Sequence, residues 1–319
     1  MVEKRALGRS GLCVPPVVFG GNVFGWTVDE KASFALLDAC LDHGLDAIDT
    51  ADSYSHWAEG NSGGESEAII GNWLKANPGK RDKVLIFTKV GSTAGGVKRG
   101  LSAKWIAQGI EDSLRRLQTD HIDLYFAHKP DPDTPFAETL EAFDRLKRAG
   151  KIRAVGASNL DAGQLAESLD VAKTHGLQRY DVLQPEYNLY DRQGFEGPLR
   201  ELVVREEIGV ITYFSLASGF LTGKYRTHLD ITASRRERFL GKYMTPRGAR
   251  ILEAVGEVSE RTGAPPAEVA IAWLIAQGGV TAPIASATSI EQLESLANAA
   301  TLKLSREDIV TLDTASGEE

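Results

Sequence analysis

Three side chains that can carry charge end short apolar runs in the first half of the chain. Asp49 ends Ala-Ile-Asp, Lys89 directly follows Leu-Ile-Phe-Thr, and His128 follows Tyr-Phe-Ala. If these runs are neighbouring strands of a parallel sheet, their polar ends meet at one edge. A buried lysine needs a counter-ion, and Asp49 is a suitable one. The pattern therefore predicts a charged cluster built from three strand ends.

A phenol completes this cluster. Tyr54 follows Asp49 in a polar stretch, so we expect its hydroxyl to lie near the Lys89 ammonium. An adjacent ammonium stabilises the phenolate, so the pKa of Tyr54 is expected to fall from about 10 toward neutrality. Such a tyrosine can act as a general acid. Each of these residues alone also fits a structural role, but their combination at matching strand ends favours a catalytic site.

A second chemistry stays open for Lys89. A lysine at a barrel mouth can form a Schiff base with a carbonyl substrate, as in aldolases. Asp49 opposes this role, because a neighbouring carboxylate keeps the amine protonated. Metal chemistry is not expected, since the six histidines show no His-x-x-x-His spacing and His128 has no obvious partner ligand.

The elements that must position these residues alternate along the chain. Short apolar runs indicate strands of a parallel sheet covered by helices, and longer amphipathic stretches lie between them. The predicted strands are Val17–Phe19, Ala47–Asp49, Val84–Thr88, Ile122–Phe126, Ala154–Ala157, Val182–Gln184, Val210–Tyr213 and Ala282–Ala285. The predicted helices are Glu30–His43, Glu65–Ala76, Ser102–Leu117, Phe136–Ala149, Asp161–His175, Pro198–Glu207, Gly248–Thr262 and Ile290–Ala300.

Eight strand–helix pairs predict an α/β fold, a (β/α)8 TIM barrel, with a doubly wound open sheet as the alternative. Segments 4–7 and 12–15 flank Gly-Arg-Ser-Gly and indicate an N-terminal β-hairpin, which could plug the N-terminal end of the barrel. Two further stretches, Pro266–Gln277 and Arg306–Ala315, are expected to be extra C-terminal helices packed on the outside or across one end. Asp161 with Gln164, and Ser289 with Gln292, have capping-box spacing. Residues 1–319 are expected to form a single domain.

Loop lengths locate the site before any motif is considered. Connections after predicted helices are short and marked by glycine, whereas those after predicted strands are long. In a barrel, every strand-to-helix loop lies on the C-terminal face, where active sites occur. Long loops in compact domains are commonly functional. The long connections are 51–64, 90–101, 129–135, 185–197 and 214–246.

The composition excludes several classes of protein. The 319 residues include 36 Lys plus Arg and 44 Asp plus Glu, and this acidic balance argues against a nucleic-acid binder. The longest apolar run, Val269 to Ala276, is far shorter than the ~20 residues that span a bilayer. Cys13 and Cys40 are too few for a disulfide framework. We expect a soluble cytoplasmic protein without a signal peptide, acting on a small molecule as a monomer or homo-oligomer.

At this point the sequence resembles the aldo-keto reductase superfamily. Matching segments are Leu7-Gly-Arg-Ser-Gly11, Asp49-Thr-Ala-Asp-Ser-Tyr54, Thr88-Lys89, His128-Lys-Pro-Asp131, Gly150-Lys-Ile-Arg-Ala-Val-Gly-Ala-Ser-Asn159, Gln184-Pro-Glu-Tyr-Asn188 and Gly219-Phe-Leu-Thr-Gly-Lys-Tyr225. The resemblance implies the barrel fold and hydride transfer between a nicotinamide cofactor and a carbonyl. It also implies that Tyr54 is the general acid, that Lys89 and Asp49 tune it, and that His128 orients the carbonyl.

The resemblance also implies where the cofactor binds. NADP(H) is favoured and NAD(H) is possible, because the positions where relatives carry cations for a 2′-phosphate here hold neutral Ser286, Thr288 and Gln292. Phe214-Ser215 also departs from the Ser-Pro usual in relatives. Basic residues of the loop after the seventh strand could compensate. The implied cofactor-binding residues are Gly21, Asn22, Asp49, Ser158, Asn159, Gln184, Tyr213, Phe214, Ser215, Leu216, Ser218, Lys224, Ser286, Thr288 and Gln292.

Aromatic residues of the expected mouth loops suggest an apolar rim. Phe24, Trp26 and Trp57 are the predicted substrate-pocket residues, and His56 and Tyr187 are further candidates. They name no particular substrate. One non-enzymatic alternative stays open, because some members of the superfamily are redox-sensing subunits of ion channels. In that case the chain would bind cofactor without significant turnover.

Overall fold

The computed structural model describes residues 2–92, 100–225, 227, 230, 232 and 237–317, without the side chain of Arg238. Its strands are β1 Arg5–Ala6, β2 Cys13–Val14, β3 Val18–Gly20, β4 Ala47–Asp49, β5 Leu85–Val90, β6 Ile122–Ala127, β7 Ile152–Ser158, β8 Val182–Gln184, β9 Gly209–Thr212 and β10 Ala282–Ala285. Strands β3 to β10 close into an all-parallel barrel in chain order, with β10 beside β3. The predicted (β/α)8 barrel is confirmed.

The helices follow the strands as predicted. The helices are α1 Glu30–Asp42, α2 Glu65–Ala76, α3 Ala103–Leu117, α4 Phe136–Arg148, α5 Ala162–His175, α6 Pro198–Arg205, α7 Glu237–Leu240, α8 Pro246–Thr262, α9 Pro266–Ala276, α10 Ile290–Ala299 and α11 Arg306–Ser316.

The strand predictions agree with the barrel because its strands are buried on both faces. Nearly every residue of β3 to β10 is buried, which is what a short, uniformly apolar run indicates. The predicted ends differ from the observed ones by at most two residues. The predicted last strand residue Tyr213, for example, lies just beyond β9 and makes only an isolated bridge to Glu186.

The predicted N-terminal hairpin is present and fills the lower end of the barrel. Its strands β1 and β2 pair antiparallel. Gly8 in its turn has φ +54°, and a Cβ there would collide with the backbone of Gly209 at the start of β9. The buried hairpin residues Leu7, Leu12 and Val14 belong to one apolar cluster with the inward-facing residues Val18, Ala47, Phe87, Leu124, Phe126, Ala154, Val182, Ile211, Ala282 and Ile284.

Helix α9 corrects one prediction. Residues 268–274 of this helix are all buried, and the helix packs against β10 and α10. The predicted placement of Pro266–Gln277, on the outside or across one end, was therefore wrong, because a helix that is apolar on all sides belongs in a buried position. Instead, α8 packs on α9 and on the predicted extra helix α11.

The two predicted capping boxes had different outcomes. Asp161 and Gln164 form the reciprocal pair at the start of α5, as predicted. Ser289 caps α10, but the Gln292 side chain reaches past it and accepts hydrogen bonds from the backbone N–H and hydroxyl of Thr288. The box at Ser289 was therefore predicted wrongly.

Among the described residues, no helix combines the length and apolar character that a membrane crossing needs.

Candidate active site

The C-terminal mouth of the barrel brings the predicted cluster together. Asp49 is the last residue of β4, Lys89 lies near the end of β5, and His128 directly follows β6. Asp49 pairs in register with Phe87 and Lys89 pairs with Phe126, so the three side chains lie at similar heights on neighbouring strands. Tyr54 lies in the β4–α2 loop above them.

The ammonium of Lys89 is fully buried and donates to three oxygens. Its Nζ lies 2.6 Å from Asp49 Oδ1, 2.7 Å from the Thr50 carbonyl oxygen and 2.9 Å from Tyr54 Oη. Three acceptors match the three N–H bonds of an ammonium. Burial lowers the pKa of Lys89, and the Asp49 carboxylate opposes that shift. The predicted Asp49–Lys89 ion pair is present, with both side chains at most 1 % exposed.

Asp49 has a partner that the sequence gave no reason to expect. Its Oδ1 also accepts from Tyr54 Oη at 3.2 Å, and its Oδ2 accepts from Gln184 Nε2 at 2.9 Å. Gln184 ends β8 on the other side of the barrel. The carboxylate is thus held from both sides, which fixes it as the counter-ion of Lys89. Gln184 was predicted only from the resemblance, as a cofactor contact.

The expected effect on Tyr54 was wrong in sign. The pKa of Tyr54 is raised well above its ordinary value, first by burial and then by the negative charge of Asp49. Lys89 is close, with its Nζ 4.5 Å from the centre of the Tyr54 ring, but Asp49 is close as well. The phenol is therefore held in its protonated form, and it donates to Asp49 while accepting from Lys89.

His128 is held neutral beside this phenol. Burial lowers the pKa of His128 well below its ordinary value, and the charges of Lys89 and Lys129 lower it further. Its ring centre lies 6.1 Å from that of Tyr54. Its Nδ1 is buried and has no hydrogen-bond partner among the described residues. A neutral imidazole can donate a hydrogen bond to a carbonyl oxygen without carrying charge into the site.

The predicted nicotinamide contacts lie next to this cluster and are joined to it. Asn159 Nδ2 donates to the His128 carbonyl oxygen at 2.8 Å, and its Oδ1 accepts from Tyr213 Oη at 2.7 Å. Ser158 Oγ donates to the Gln184 carbonyl oxygen at 2.8 Å. Asn159 adopts φ +64°, a conformation that asparagine tolerates better than most residues. One hydrogen-bonded group thus links the ends of β6 to β9.

The loop after β9 has an unusual backbone. Phe214 has φ +55° and Ser218 has φ +59°, and a bulky side chain in this region marks local strain. Phe214 is 38 % exposed and packs edge-on against Tyr213. Ser215 is buried, Leu216 is half-buried and Lys224 is exposed. Among the basic residues of this loop that could compensate for the neutral positions, Arg226, Arg235 and Arg236, and the side chain of Arg238, lie outside the described residues.

The implied adenosine end is neutral. Ser286 Oγ donates to Asn22 Oδ1 at 2.5 Å and so joins the end of β10 to the residues after β3. Gly21 precedes Asn22 in a short 3-10 helix, Gly21–Val23. Thr288 and Gln292 bond to each other. No Lys or Arg occurs in the sequence from Pro265 to Leu302.

The aromatic rim is smaller than predicted. The Trp57 ring centre lies 5.9 Å from that of Tyr54, and the Trp26 ring packs edge-on against Trp57 at 5.8 Å. Two candidates lie elsewhere. Phe24 is completely buried and stacks on Phe19 in the core, and Tyr187 is buried against Trp273. The rim prediction for these two residues was wrong, because both mouth-side loops fold their apolar side chains inward.

The fold and the site together define a class of protein: a (β/α)8 barrel with a hydrogen-bonded group of ionisable side chains at its C-terminal mouth. The comparisons identify the family. The model of the Aldo/keto reductase family matches residues 16–316, and the chain belongs to this family. It is therefore an oxidoreductase of a family that uses nicotinamide cofactors.

Similar proteins carry several names. The chain is 33 % identical to the "Uncharacterized oxidoreductase YrpG" of Bacillus subtilis (strain 168), over 96 % of this chain and 93 % of that protein. It is 35 % identical to the "Aldo-keto reductase YhdN" of the same organism, over 92 % and 86 %. It is 31 % identical to the "Probable voltage-gated potassium channel subunit beta" of Arabidopsis thaliana, over 92 % and 89 %.

Proposed function

We propose that this protein is an NADP(H)-dependent reductase of aldehydes and ketones in which Tyr54 is the general acid. The observation that supports the proposal is the contact of Lys89 Nζ with both Asp49 and Tyr54 beside a neutral His128. The two free thiols, Cys13 and Cys40, agree with a cytoplasmic location.

In the proposed reaction, the chain's residues handle the carbonyl oxygen and its proton. His128 donates a hydrogen bond to this oxygen and orients it. When bound, the nicotinamide supplies the hydride that the carbonyl carbon accepts. Tyr54 gives its proton to the oxygen as negative charge develops there. The Lys89 ammonium then stabilises the phenolate that Tyr54 becomes, and Asp49 keeps the amine charged and in place.

The residues at the ends of β7 to β9 suit a nicotinamide. Its carboxamide both donates and accepts hydrogen bonds, and Ser158, Asn159 and Gln184 offer hydroxyl and amide groups that can do both. Tyr213 offers an aromatic face beside them. Ser215, Leu216, Ser218 and Lys224 follow in the loop that we propose to hold the pyrophosphate, with Lys224 as its cation.

NAD(H) is the second candidate cofactor, and one observation favours it. The backbone N–H of Thr288, a natural donor to a phosphate at a helix start, is already satisfied by Gln292. The residues around it offer hydroxyls and amides, which suit a ribose hydroxyl as well as a phosphate. Titrating the protein separately with NADPH and NADH, followed by quenching of its five tryptophans, decides between them.

Thr288→Lys is expected to strengthen NADPH binding about ten- to hundredfold and to leave NADH binding unchanged, because a charge-assisted bond to a phosphate contributes about 1.5–3 kcal/mol. The same fluorescence titration measures both dissociation constants. Thr301→Lys, at the exposed far end of α10, is the control and should change neither value. An equal gain for both cofactors would show that the 2′-phosphate lies elsewhere.

The pH profile of carbonyl reduction follows from the two shifted groups. His128 has a lowered pKa and stays neutral as the pH falls through 6.5, and Tyr54 has a raised pKa and stays protonated as the pH rises through 10. The reductive kcat/KM is therefore expected to stay level from about pH 6 to pH 9. Initial rates at constant ionic strength check this. An acidic decline near pH 6.5 that disappears in His128→Asn would contradict it.

The Schiff-base alternative does not agree with the findings. The family is one of oxidoreductases. A nucleophilic amine needs a free lone pair, whereas Lys89 Nζ lies 2.6 Å from the Asp49 carboxylate, which favours the ammonium and opposes the lowering of its pKa by burial. Borohydride trapping in the presence of an aldehyde tests this directly, and no adduct at Lys89 is expected.

A cofactor-binding regulatory subunit is the second candidate function. The likeness to the protein named a probable voltage-gated potassium channel subunit beta favours it. Turnover separates the two candidates. Oxidation of the reduced cofactor upon addition of a panel of aliphatic and aromatic aldehydes supports the reductase. Stoichiometric cofactor binding without turnover on any of them supports the regulatory subunit.

A further inference from the structure

Two consecutive polar residues at the start of α2 are completely buried behind the reaction centre. Ser66 and Glu67 are both 0 % exposed. They occupy the second and third positions of the helix and touch neither Tyr54 nor Lys89. Each is hydrogen-bonded to a different strand end: Ser66 to the residue after β4, and Glu67 to a residue near the end of β5. The end of β4 carries Asp49, and the end of β5 carries Lys89.

Ser66 is bonded to the first of these strand ends, that of β4. Thr50 Oγ1 donates to Ser66 Oγ at 2.8 Å, and Ser66 Oγ donates to the Gly21 carbonyl oxygen at 2.7 Å. The carbonyl oxygen of this same Thr50 accepts from Lys89 Nζ at 2.7 Å. Ser66 therefore fixes the residue that provides one of the three acceptors of the ammonium.

Glu67 is bonded to the second strand end, that of β5. Thr88 Oγ1 donates to Glu67 Oε1 at 2.6 Å, and Arg116 Nε donates to Glu67 Oε2 at 2.7 Å. Thr88 immediately precedes Lys89 in β5, so the two side chains point to opposite faces of the strand. The hydrogen bond from Thr88 to Glu67 therefore fixes β5 from its outer face. The next residue, Lys89, points to the inner face at the same height.

This arrangement is costly as a means of stability alone. A buried carboxylate with its partner arginine is often no more stable than apolar side chains of the same volume. Polar pairs of this kind specify a position more firmly than apolar contacts, because hydrogen bonds have narrow distance and angle requirements. One contact of each residue reaches position 50 or 88, directly next to Asp49 or Lys89.

We propose that Ser66 and Glu67 form a positioning pair that holds the Lys89 amine within hydrogen-bond distance of Tyr54. The pair acts through Thr50 and Thr88 and touches neither cofactor nor substrate. This inference rests on the proposed reductase function. It assigns to the first turn of α2 a role in the rate of the proton-transfer step.

Ser66→Ala and Thr88→Val test the proposal without leaving a charge unpaired, since substitution of Glu67 itself would remove the partner of the half-buried Arg116. Each is expected to lower kcat about tenfold, while KM and the dissociation constant of the cofactor stay unchanged. Thr88→Ser keeps the hydroxyl and is expected to restore kcat. In alcohol oxidation, where Tyr54 must be deprotonated, the rising limb of the pH profile should move to higher pH, because a looser ammonium stabilises the phenolate less.

Asp123→Asn is the matched control. Asp123 is also buried, and it also holds β5, through the Ile86 N–H at 2.9 Å and Arg81 at 3.0 Å. Asp123 itself lies near the start of β6, and its contact Ile86 lies at the end of β5 away from Lys89. This variant is expected to lower the melting temperature and leave kcat and both pH limbs unchanged. If Ser66→Ala and Thr88→Val behave in the same way, the pair is merely structural and the proposal is overturned.

Crystal structures of the variants give a readout that needs no activity. The proposal expects Lys89 Nζ to lose its contact with the Thr50 carbonyl oxygen or with Tyr54 Oη. Unchanged contacts in both variants would overturn it, even if kcat falls. If the wild-type protein turns over no aldehyde, the proposed function fails, and the crystal structures still decide whether Ser66 and Glu67 position Lys89.

Discussion

Tyr54→Phe is expected to lower kcat for carbonyl reduction by ~10²–10⁴, the usual contribution of a general acid. The variant removes one hydroxyl, whose proton is the one donated to the carbonyl oxygen. Asp49 keeps Lys89 and Gln184 as partners, so the ion pair and the fold should persist. Steady-state kinetics at saturating cofactor and a tryptophan-quenching titration measure the two properties. The dissociation constant of the cofactor is expected to change less than about twofold, since residues on β7 to β9 are proposed to hold the nicotinamide.

Tyr180→Phe provides the matched control for this substitution. Tyr180 is equally an internal tyrosine, 1 % exposed, but it packs against Phe143 away from the mouth. It should retain full activity. A Tyr54→Phe enzyme with wild-type kcat would show that another group donates the proton, and His128 would then be the first residue to test.

The barrel could be predicted from the sequence because both faces of its strands lie in the same apolar environment. Strands such as Ile122–Ala127 are buried on both faces, so an apolar run without alternation identifies them even when they are short. The glycine-marked returns and the long loops after strands then show which end carries the site. The ends of the strands were less certain, because a residue such as Tyr213 continues the apolar run after regular pairing stops.

The positions of α8 and α9 could not be read from the order of elements alone. Both helices lie between β9 and β10, and only one can cover the barrel wall. The sequence of α9, Pro-Ala-Glu-Val-Ala-Ile-Ala-Trp-Leu-Ile-Ala, contains the signal, because it is apolar on all sides. Counting helices in chain order gave the wrong assignment, since it ignored which helix can bury every face.

The sequence predicted which residues meet at the mouth of the barrel, but it did not predict the pKa shift of Tyr54. Polar residues at the ends of β4, β5 and β6 had to meet, so the pairing of Asp49 with Lys89 followed from topology. The pKa of Tyr54 depends on distances of a few ångströms to two opposite charges, those of Asp49 and Lys89. No sequence pattern shows which of the two has the larger effect. The hydrogen bond from Gln184 to Asp49 crosses the barrel, and nothing in the sequence positions of these two residues indicates it.

Lys89→Met is expected to lower the free energy of unfolding by ~3–5 kcal/mol and to abolish most turnover, because it leaves the Asp49 carboxylate buried without its cation. Asp49 is 1 % exposed, so water cannot replace the ammonium. Tyr54 and Gln184 still donate to the carboxylate, but both are neutral. Urea unfolding followed by tryptophan fluorescence measures the loss, and Lys4→Met is the control. Lys4 pairs with Asp46 at 2.5 Å at the surface, where such a pair contributes ~0–1 kcal/mol.

The double variant Asp49→Asn with Lys89→Met separates stability from catalysis. Removing both charges removes the unpaired carboxylate, so the double variant is expected to be more stable than Lys89→Met alone. Its activity should stay as low as that of the single variant, because no ammonium remains to stabilise the phenolate of Tyr54. A double variant that regains stability without turnover would assign the buried pair to catalysis. Equal instability of the two variants would instead mean that the hydrogen bonds of the Lys89 ammonium to the Thr50 carbonyl oxygen and to Tyr54, rather than the unpaired charge of Asp49, account for the lost stability.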